Sequence, residues 1–291
     1  MMVGMTSASP SDHAPRRAAF RRLHESGCFL LPNPWDAGTA RYLRRLGFAA
    51  LATTSSGFAF SRGLPDGEGA VPVEAVLGHV AEIVAATDLP VNADFEAGYA
   101  DEPEGVAANV ARCVETGVAG LSIEDSTGES ARPLYPLDLA VARIQAARAA
   151  IDGSGSGVVL TARAECYLVG HAHPLPESIR RLQAYAAAGA DVLYAPGPHS
   201  REDIAAIVAA LAPRPVNVLM GASTGLRLAD LAALGVRRVS VGSGLARATW
   251  TAFIAAARAM ASEGSFAGLA GAVDFAELNG FFREEWKRGT P

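Results

Sequence analysis

The chain has 291 residues, half of them hydrophobic and 19% charged, with a formal net charge of −5 and a pI near 5.7. That size and apolar content can bury one large α/β core, while the acidic balance lacks the basic, aromatic-laced stripe that a nucleic-acid partner needs. Three cysteines (Cys28, Cys113, Cys166) with no CxxC spacing give neither a disulfide framework nor a zinc site, and the absence of an 18-residue apolar run excludes a membrane-spanning helix. These features predict a soluble, cytoplasmic protein whose partners are small molecules.

Residues 1–13, rich in Ser, Pro and small side chains, are expected to form a frayed, disordered N-terminus without an apolar export signal. A helical lead-in (14–26) follows. Eight short apolar runs then recur: CFLLPN (28–33), FAALATT (48–54), PVNADFE (90–96), GLSIEDS (120–126), VVLTARAE (158–165), DVLYAPG (191–197), PVNVLMG (215–221) and RRVSVGS (237–243). Between them lie segments of helical periodicity, among them 103–117, 137–151 and 176–190, several ending in Gly as helix C-termini do. Strict alternation of strand and helix implies a parallel sheet. Eight units in about 250 residues predict a single (β/α)8 TIM barrel over residues 14–262. An open doubly wound sheet would carry a glycine-rich phosphate fingerprint after its first strand, and NPWDAGTA stands there instead. The segment 263–291, with Phe266, Phe275, Phe281, Phe282 and Trp286, reads as a C-terminal helical extension that either covers the barrel or packs against a neighbouring subunit.

Barrel chemistry gathers at the C-terminal strand ends, and there the runs are polar: Thr54, Ser55 and Ser56; Asp94 and Glu96; Glu124 and Asp125; Arg163 and Glu165; Asn217; Ser240 and Ser243. Strand parity sends Asp94 and Glu96 to one face, and likewise Arg163 and Glu165. Neighbouring strands lie about 4.8 Å apart, so Asp94 and Glu124 can approach each other. Two carboxylates about 4 Å apart repel by roughly 4 kcal/mol at an effective dielectric near 20. A cation must offset this, or one acid must hold a proton. Oxygen-only ligands point to Mg2+ or Mn2+; Arg163 is the organic alternative, as partner to Glu165 or as a fork for a substrate carboxylate. A closed ion-pair network plugging the mouth is the bland reading.

NPWDAGTARYLRRLGFAALATTSSGFAFSRGLPD (33–66), PVNADFEAGYAD (90–101), GVAGLSIEDS (117–126) and LTARAE (160–165) together resemble the isocitrate lyase and phosphoenolpyruvate mutase superfamily, in its order and spacing, from about residue 20 to 255. The resemblance implies a (β/α)8 barrel, often with its last helix exchanged between subunits of a homodimer or homotetramer, Mg2+ as cofactor, and small α-oxo or hydroxy carboxylate substrates reacting through an enolate. It implies that Asp94, Glu96 and Glu124 form the metal site, that Asp66 completes the acidic cluster, and that Thr54, Ser55 and Ser56 clasp the substrate carboxylate, Ser55 standing where Gly is usual. Arg163 resembles the arginine that neutralises that carboxylate. Arg163, Asp66 and Glu124 are thus the expected catalytic set, with Asn217 as a further substrate contact.

The chain departs from the family in the loop SIEDSTGESARPLYPLDL (122–139), which has neither the lyase-type Cys and His nor the mutase's Lys-Thr-Asn run, and at Pro196, where the mutase type has a His. Decarboxylation needs no such base, so an oxaloacetate decarboxylase-like or otherwise divergent lyase is favoured. A retro-aldol cleavage would need another base, from Tyr99, Tyr135, Tyr194 or Glu129. Phosphorus–carbon chemistry and a non-catalytic metabolite-binding barrel are the alternatives. His171 and His173 read as a solvent-facing loop, His199 as a neighbour or cap of the helix near Arg201, and the cysteines as inert core. The glycine-containing turns at 221–230 and 241–247 resemble barrel phosphate-binding turns but serve equally as ordinary capped turns.

Overall fold

The computed structural model describes residues 13–67 and 69–289. The expected frayed stretch over 1–12 lies outside them, whereas His13 already stands at the N-cap of helix α1 (Ala14–Leu23). Eight parallel strands follow: β1 (Phe29–Leu31), β2 (Leu51–Ala52), β3 (Val91–Asp94), β4 (Gly120–Glu124), β5 (Val159–Arg163), β6 (Val192–Tyr194), β7 (Val216–Leu219) and β8 (Arg238–Ser240). Each falls inside one of the eight apolar runs. The sheet order β1-β8-β7-β6-β5-β4-β3-β2 runs once around a ring. Its seam between β1 and β2 is closed by the Ala52 amide donating to Pro32 O at 3.0 Å and by Asn33 Nδ2 donating to Thr53 O at 2.7 Å. The fold is a (β/α)8 barrel.

The outer ring comprises α2 (Ala37–Arg45), α3 (Ser55–Ser61), α4 (Val73–Ala86), α5 (Pro103–Glu115), α6 (Leu137–Gly153), α7 (Pro174–Ala187), α8 (Arg201–Leu211), α9 (Leu228–Ala233) and α10 (Gly244–Glu263); α11 (Phe275–Arg288) ends the chain. Local chemistry sets the starts. Asp36 and Thr39 form a reciprocal capping box on α2, and prolines occupy the first turns of α5 and α7. Ser200 caps α8 through the Asp203 amide, and His199 stands beside that cap as the helix's neighbour.

Strand parity divides the apolar residues into two cores. Outward-facing Leu121, Ile123, Leu160 and Leu193 pack with the helices, and this layer holds the barrel together. Inside, at the N-terminal end, Phe20 from α1 fills the bottom of the barrel with Leu31, Ala52, Val159 and Val192. Gly120 makes room for this plug, because a Cβ there would lie 2.6 Å from the Phe20 ring. Above the plug the inward positions turn polar, which leaves the C-terminal mouth for chemistry.

Near the C-terminus, α11 lies on α2 of its own chain. Phe281 meets the Tyr42 ring edge-on at 5.2 Å, and Glu285 pairs with Arg44. By contrast α10 buries only Ala246 and Ala256 and leaves Trp250, Phe253 and Ile254 exposed. Among the described residues, no helix is long and apolar enough to cross a membrane.

Candidate active site

Residues from all eight strands line a cavity of about 300 Å3 at the C-terminal mouth. Its centre is Arg163, at the end of β5. Register places Glu124 of β4 directly beside it, while Asp94 of β3 pairs with Ser122, two residues earlier on β4. The guanidinium spans that stagger: Nη1 donates to Asp94 Oδ1 at 2.8 Å and forms an ion pair with Glu124 Oε2 at 3.0 Å, and Nε donates to Glu165 Oε1 at 2.9 Å. The two carboxylates expected to meet around an ion therefore meet around Arg163, and Glu165 is its third partner. Below, the Tyr194 ring lies 5.1 Å from the guanidinium carbon.

Glu96 requires a correction. β3 ends at Asp94, and Glu96 lies beyond it with φ 44°, as does Tyr99 with φ 55°. Strand parity does not aim Glu96; a left-handed turn does, and the Tyr99 hydroxyl donates to its Oε1 at 2.8 Å. The Thr54–Ser56 turn is likewise partly committed within the protein. Thr54 Oγ1 caps α3 through the Gly57 amide, and both the amide and the hydroxyl of Ser55 donate to Asp94 Oδ2, at 3.0 and 3.1 Å. Ser55, in the place where the family has Gly, thus adds a hydroxyl that orients Asp94. Asp66 and Ser56 complete this wall.

Asn217 sits on the floor, donating to Ser240 Oγ at 3.0 Å and accepting from Arg238 Nε at 2.8 Å. Arg238 and Asn33 went unremarked in the sequence. Arg238 is buried in the barrel and reaches across to Thr161 Oγ1 at 3.0 Å; burial lowers its pKa to about 9. Its signal was its parity with Ser240, two residues on. Asn33 Oδ1 accepts from the amides of Val241 and Gly242, tying the end of β8 to the β1–β2 seam. Arg247, on the first turn of α10, also lines the rim. Of the four groups considered as bases, Tyr194 alone lines this cavity. Tyr135 donates to Asp101 and Glu129 pairs with Arg132. Cys166 is fully buried, and burial pushes its thiol up to about 11. Asp125 stands behind the mouth, accepting from the Glu165 amide, Arg181 and Tyr185, and so braces the backbone that carries Glu165.

Five carboxylates line the cavity, those of Asp66, Asp94, Glu96, Glu124 and Glu165, and one arginine pairs with three of them. Burial, followed by the charge of neighbouring Asp94, raises the pKa of Asp66. Burial raises Glu96 to about 7, with the Tyr99 hydrogen bond opposing and the charges of Asp94 and Asp66 adding. Burial also drives Glu124 well above its ordinary value despite Arg163. For Arg163 itself burial disfavours the charge, and the carboxylates of Glu124, Glu165 and Asp94 outweigh it, so the guanidinium is held charged. The five acids outnumber the three arginines that line the cavity, Arg163, Arg238 and Arg247, so the mouth has negative charge to spare for a cation. Among the described residues no three His, Cys, Asp or Glu converge as a metal cage. Oxygen-only donors with excess negative charge fit instead a hard divalent ion that touches one or two carboxylates and keeps several waters.

A closed parallel barrel with ionisable groups converging at its C-terminal mouth places the protein among the (β/α)8-barrel enzymes. More particularly, the chain belongs to the phosphoenolpyruvate phosphomutase family, whose model matches residues 20–261, within the isocitrate lyase and phosphoenolpyruvate mutase superfamily of lyases and mutases. A solved structure from Burkholderia cenocepacia J2315, whose activity is given only as lyase/mutase, is 49% identical with a TM-score of 0.88, over 93% of this chain and 96% of that one. Oxaloacetate decarboxylase of Paraburkholderia xenovorans is 32% identical over 243 residues, 78% of this chain and 75% of that protein. The crystal structure of 2,3-dimethylmalate lyase is 28% identical with a TM-score of 0.82, over 94% of this chain and 97% of that one.

Proposed function

We propose that the protein is a Mg2+-dependent lyase that cleaves a carbon–carbon bond of a small α-oxo or hydroxy carboxylate through an enolate, with decarboxylation as the favoured reaction. The observation that carries this reading is Arg163 held at the barrel mouth by Asp94, Glu124 and Glu165 in a cavity that, among the described residues, no cysteine or histidine lines. The likeness to an oxaloacetate decarboxylase and to 2,3-dimethylmalate lyase supports it.

Asp94 would hold the divalent ion, with Glu96 and Glu124 holding its waters and Asp66 closing the cluster. Such an ion supplies fixed positive charge that polarises an oxo group. The substrate carboxylate lies against the Thr54–Ser56 turn, with Asn217 on the floor. Arg163 faces the oxygen on which charge develops and lowers the barrier by being fixed there beforehand. In decarboxylation the bond from C3 to the departing carboxylate breaks, its electron pair enters the enolate, carbon dioxide leaves, and C3 then takes up a proton. Tyr194, which lines the cavity, would supply that proton: burial pushes its hydroxyl up to about 12, so it stays protonated at neutral pH. No base is needed to start the reaction, which accords with a 126–134 loop that has neither Cys nor His.

The exposed apolar side chains of α10 support assembly into a homodimer or homotetramer through the C-terminal helices. Three free cysteines accord with a reducing, cytoplasmic setting. The test is pyruvate release from oxaloacetate, 2,3-dimethylmalate and methylisocitrate, and phosphoenolpyruvate release from phosphonopyruvate, each with and without Mg2+. Mg2+-dependent pyruvate from oxaloacetate, lost in Arg163→Gln, is expected. Turnover of phosphonopyruvate alone would move the site to phosphorus–carbon chemistry, and ligand-raised melting without any product would make it a binding barrel.

A further inference from the structure

Glu96 reaches the mouth only because the 96–101 turn is held in a conformation that costs energy. Glu96 and Tyr99 both have positive φ, a region disfavoured for side chains with a Cβ and kept only where the surroundings enforce it. Asn109 Nδ2 donates to the Gly98 and Tyr99 carbonyls and the Glu124 amide to Glu96 O, and the buried charge among the enforcing groups is Arg143, from α6. It is 1% exposed and forms no ion pair with a carboxylate among the described residues. Its guanidinium donates to three carbonyls of that one turn, those of Ala97, Ala100 and Asp101, and the Tyr135 ring covers it at 3.9 Å. Tyr135 in turn donates to Asp101 Oδ1 at 2.6 Å and stands just after the 126–134 loop, whose ends are bridged at Ser126 and Leu134. A buried charge satisfied by carbonyls alone is expensive, and spending it on one turn makes sense if that turn must keep one shape.

We propose that Arg143 is a positioning residue: it locks the Glu96–Asp101 turn so that the Glu96 carboxylate faces the mouth, and through Tyr135 it fixes the base of the 126–134 loop to the same point. The inference rests on the reading that Glu96 serves a divalent ion, and its test separates the two.

Arg143→Met and Arg143→Lys are compared with Arg17→Met in the full chain. Arg17 is a matched control at the other end of the barrel, also buried and donating to backbone carbonyls, of Val118 and Val114. Two quantities are read: Mn2+ affinity by electron paramagnetic resonance, and metal-free hydrogen exchange of the 96–101 amides. Both Arg143 variants are expected to bind Mn2+ 10- to 100-fold more weakly, the usual effect of losing a group that orients a ligand, and to exchange those amides at least tenfold faster; Lys does not rescue, because it lacks the fork. Arg17→Met loses stability but neither property. Tyr135→Leu, which keeps the buried cation, serves as the milder variant if the others fail to fold, with changes in the same direction. Unchanged affinity in the Arg143 variants, or an equal loss in Arg17→Met, overturns the proposal. If the unmodified protein binds no Mn2+, the metal reading falls, and exchange decides alone: faster 96–101 exchange confined to the Arg143 variants supports the lock, and unchanged exchange refutes it.

Discussion

Replacing Arg163 with Gln removes the one cation that touches three carboxylates. The contacts of 2.8, 2.9 and 3.0 Å are each worth about 6 kcal/mol of attraction at an effective dielectric near 20. Most of this is offset by the several kcal/mol each buried ion loses on leaving water, so the measurable loss on deleting one partner is about 3 to 5 kcal/mol. At about 2 to 4 °C per kcal/mol for a chain of this size, the metal-free variant should melt roughly 6 to 20 °C below the unmodified protein. Magnesium then acts differently on the two. In the unmodified protein it competes with Arg163 for Asp94 and Glu124; in the variant it meets those acids unpaired. At a hundred times its dissociation constant it stabilises by about 2.7 kcal/mol, so it should restore much of the variant's deficit and raise the variant's Tm more than that of the parent. Scanning calorimetry of both proteins, with Mg2+ and with a chelator, reads this directly. Equal melting without metal, or no larger response to magnesium in the variant, would show that the acids do not depend on this guanidinium.

The raised pKa of Glu96, about 7, lies above its unfolded value, so the native state retains a proton that the unfolded chain releases. Metal-free stability from this group is full below about pH 4.5 and is lost as pH rises through 7, by up to about 3 kcal/mol; Glu96→Gln should flatten urea midpoints between pH 5 and 8, and an unaltered slope would contradict the assignment. His24 and His79 are lowered by burial to about 3 and about 4. Their stability is present above about pH 6.5 and lost as pH falls toward 4, so His79→Phe, next to Phe58, should shift the acid unfolding midpoint downward. Phe20→Ala, emptying the barrel plug, should cost about 3 to 5 kcal/mol in denaturant unfolding while leaving Mg2+ affinity within threefold. Phe253→Asp on α10 should reduce the assembled mass in sedimentation if the apolar helix face is a subunit contact, and an unchanged mass would remove that role.

The strands were legible because each is a short apolar run between helical segments, and the mouth was legible because Asp94, Glu124 and Arg163 end three consecutive strands. Glu96 and Glu165 were assigned to the mouth for an incomplete reason: parity holds only as far as the strand does, and both lie two residues beyond it. A left-handed Glu leaves no composition signal, whereas its restraint, Arg143, sits in an ordinary-looking helix about 40 residues on. Arg238 was passed over because an arginine beside another at a strand start reads as solvent-facing, and only the ring closure turns it inward. Asn33 shows the same limit, since its three partners come from β2 and β8 and no spacing connects them.

Arg238 spans the barrel from β8 to Thr161 on β5, above the Phe20 plug. The tube is therefore cross-braced at mid-height like a wheel with a spoke, and directional bonds set its bore there, whereas hydrocarbon sets it underneath. Oil tolerates swaps of similar volume, but a spoke has one length. Remodelling of the reaction chamber should thus proceed more freely among the rim turns than at this girth, where shortening a single side chain changes the cross-section seen by every molecule that enters.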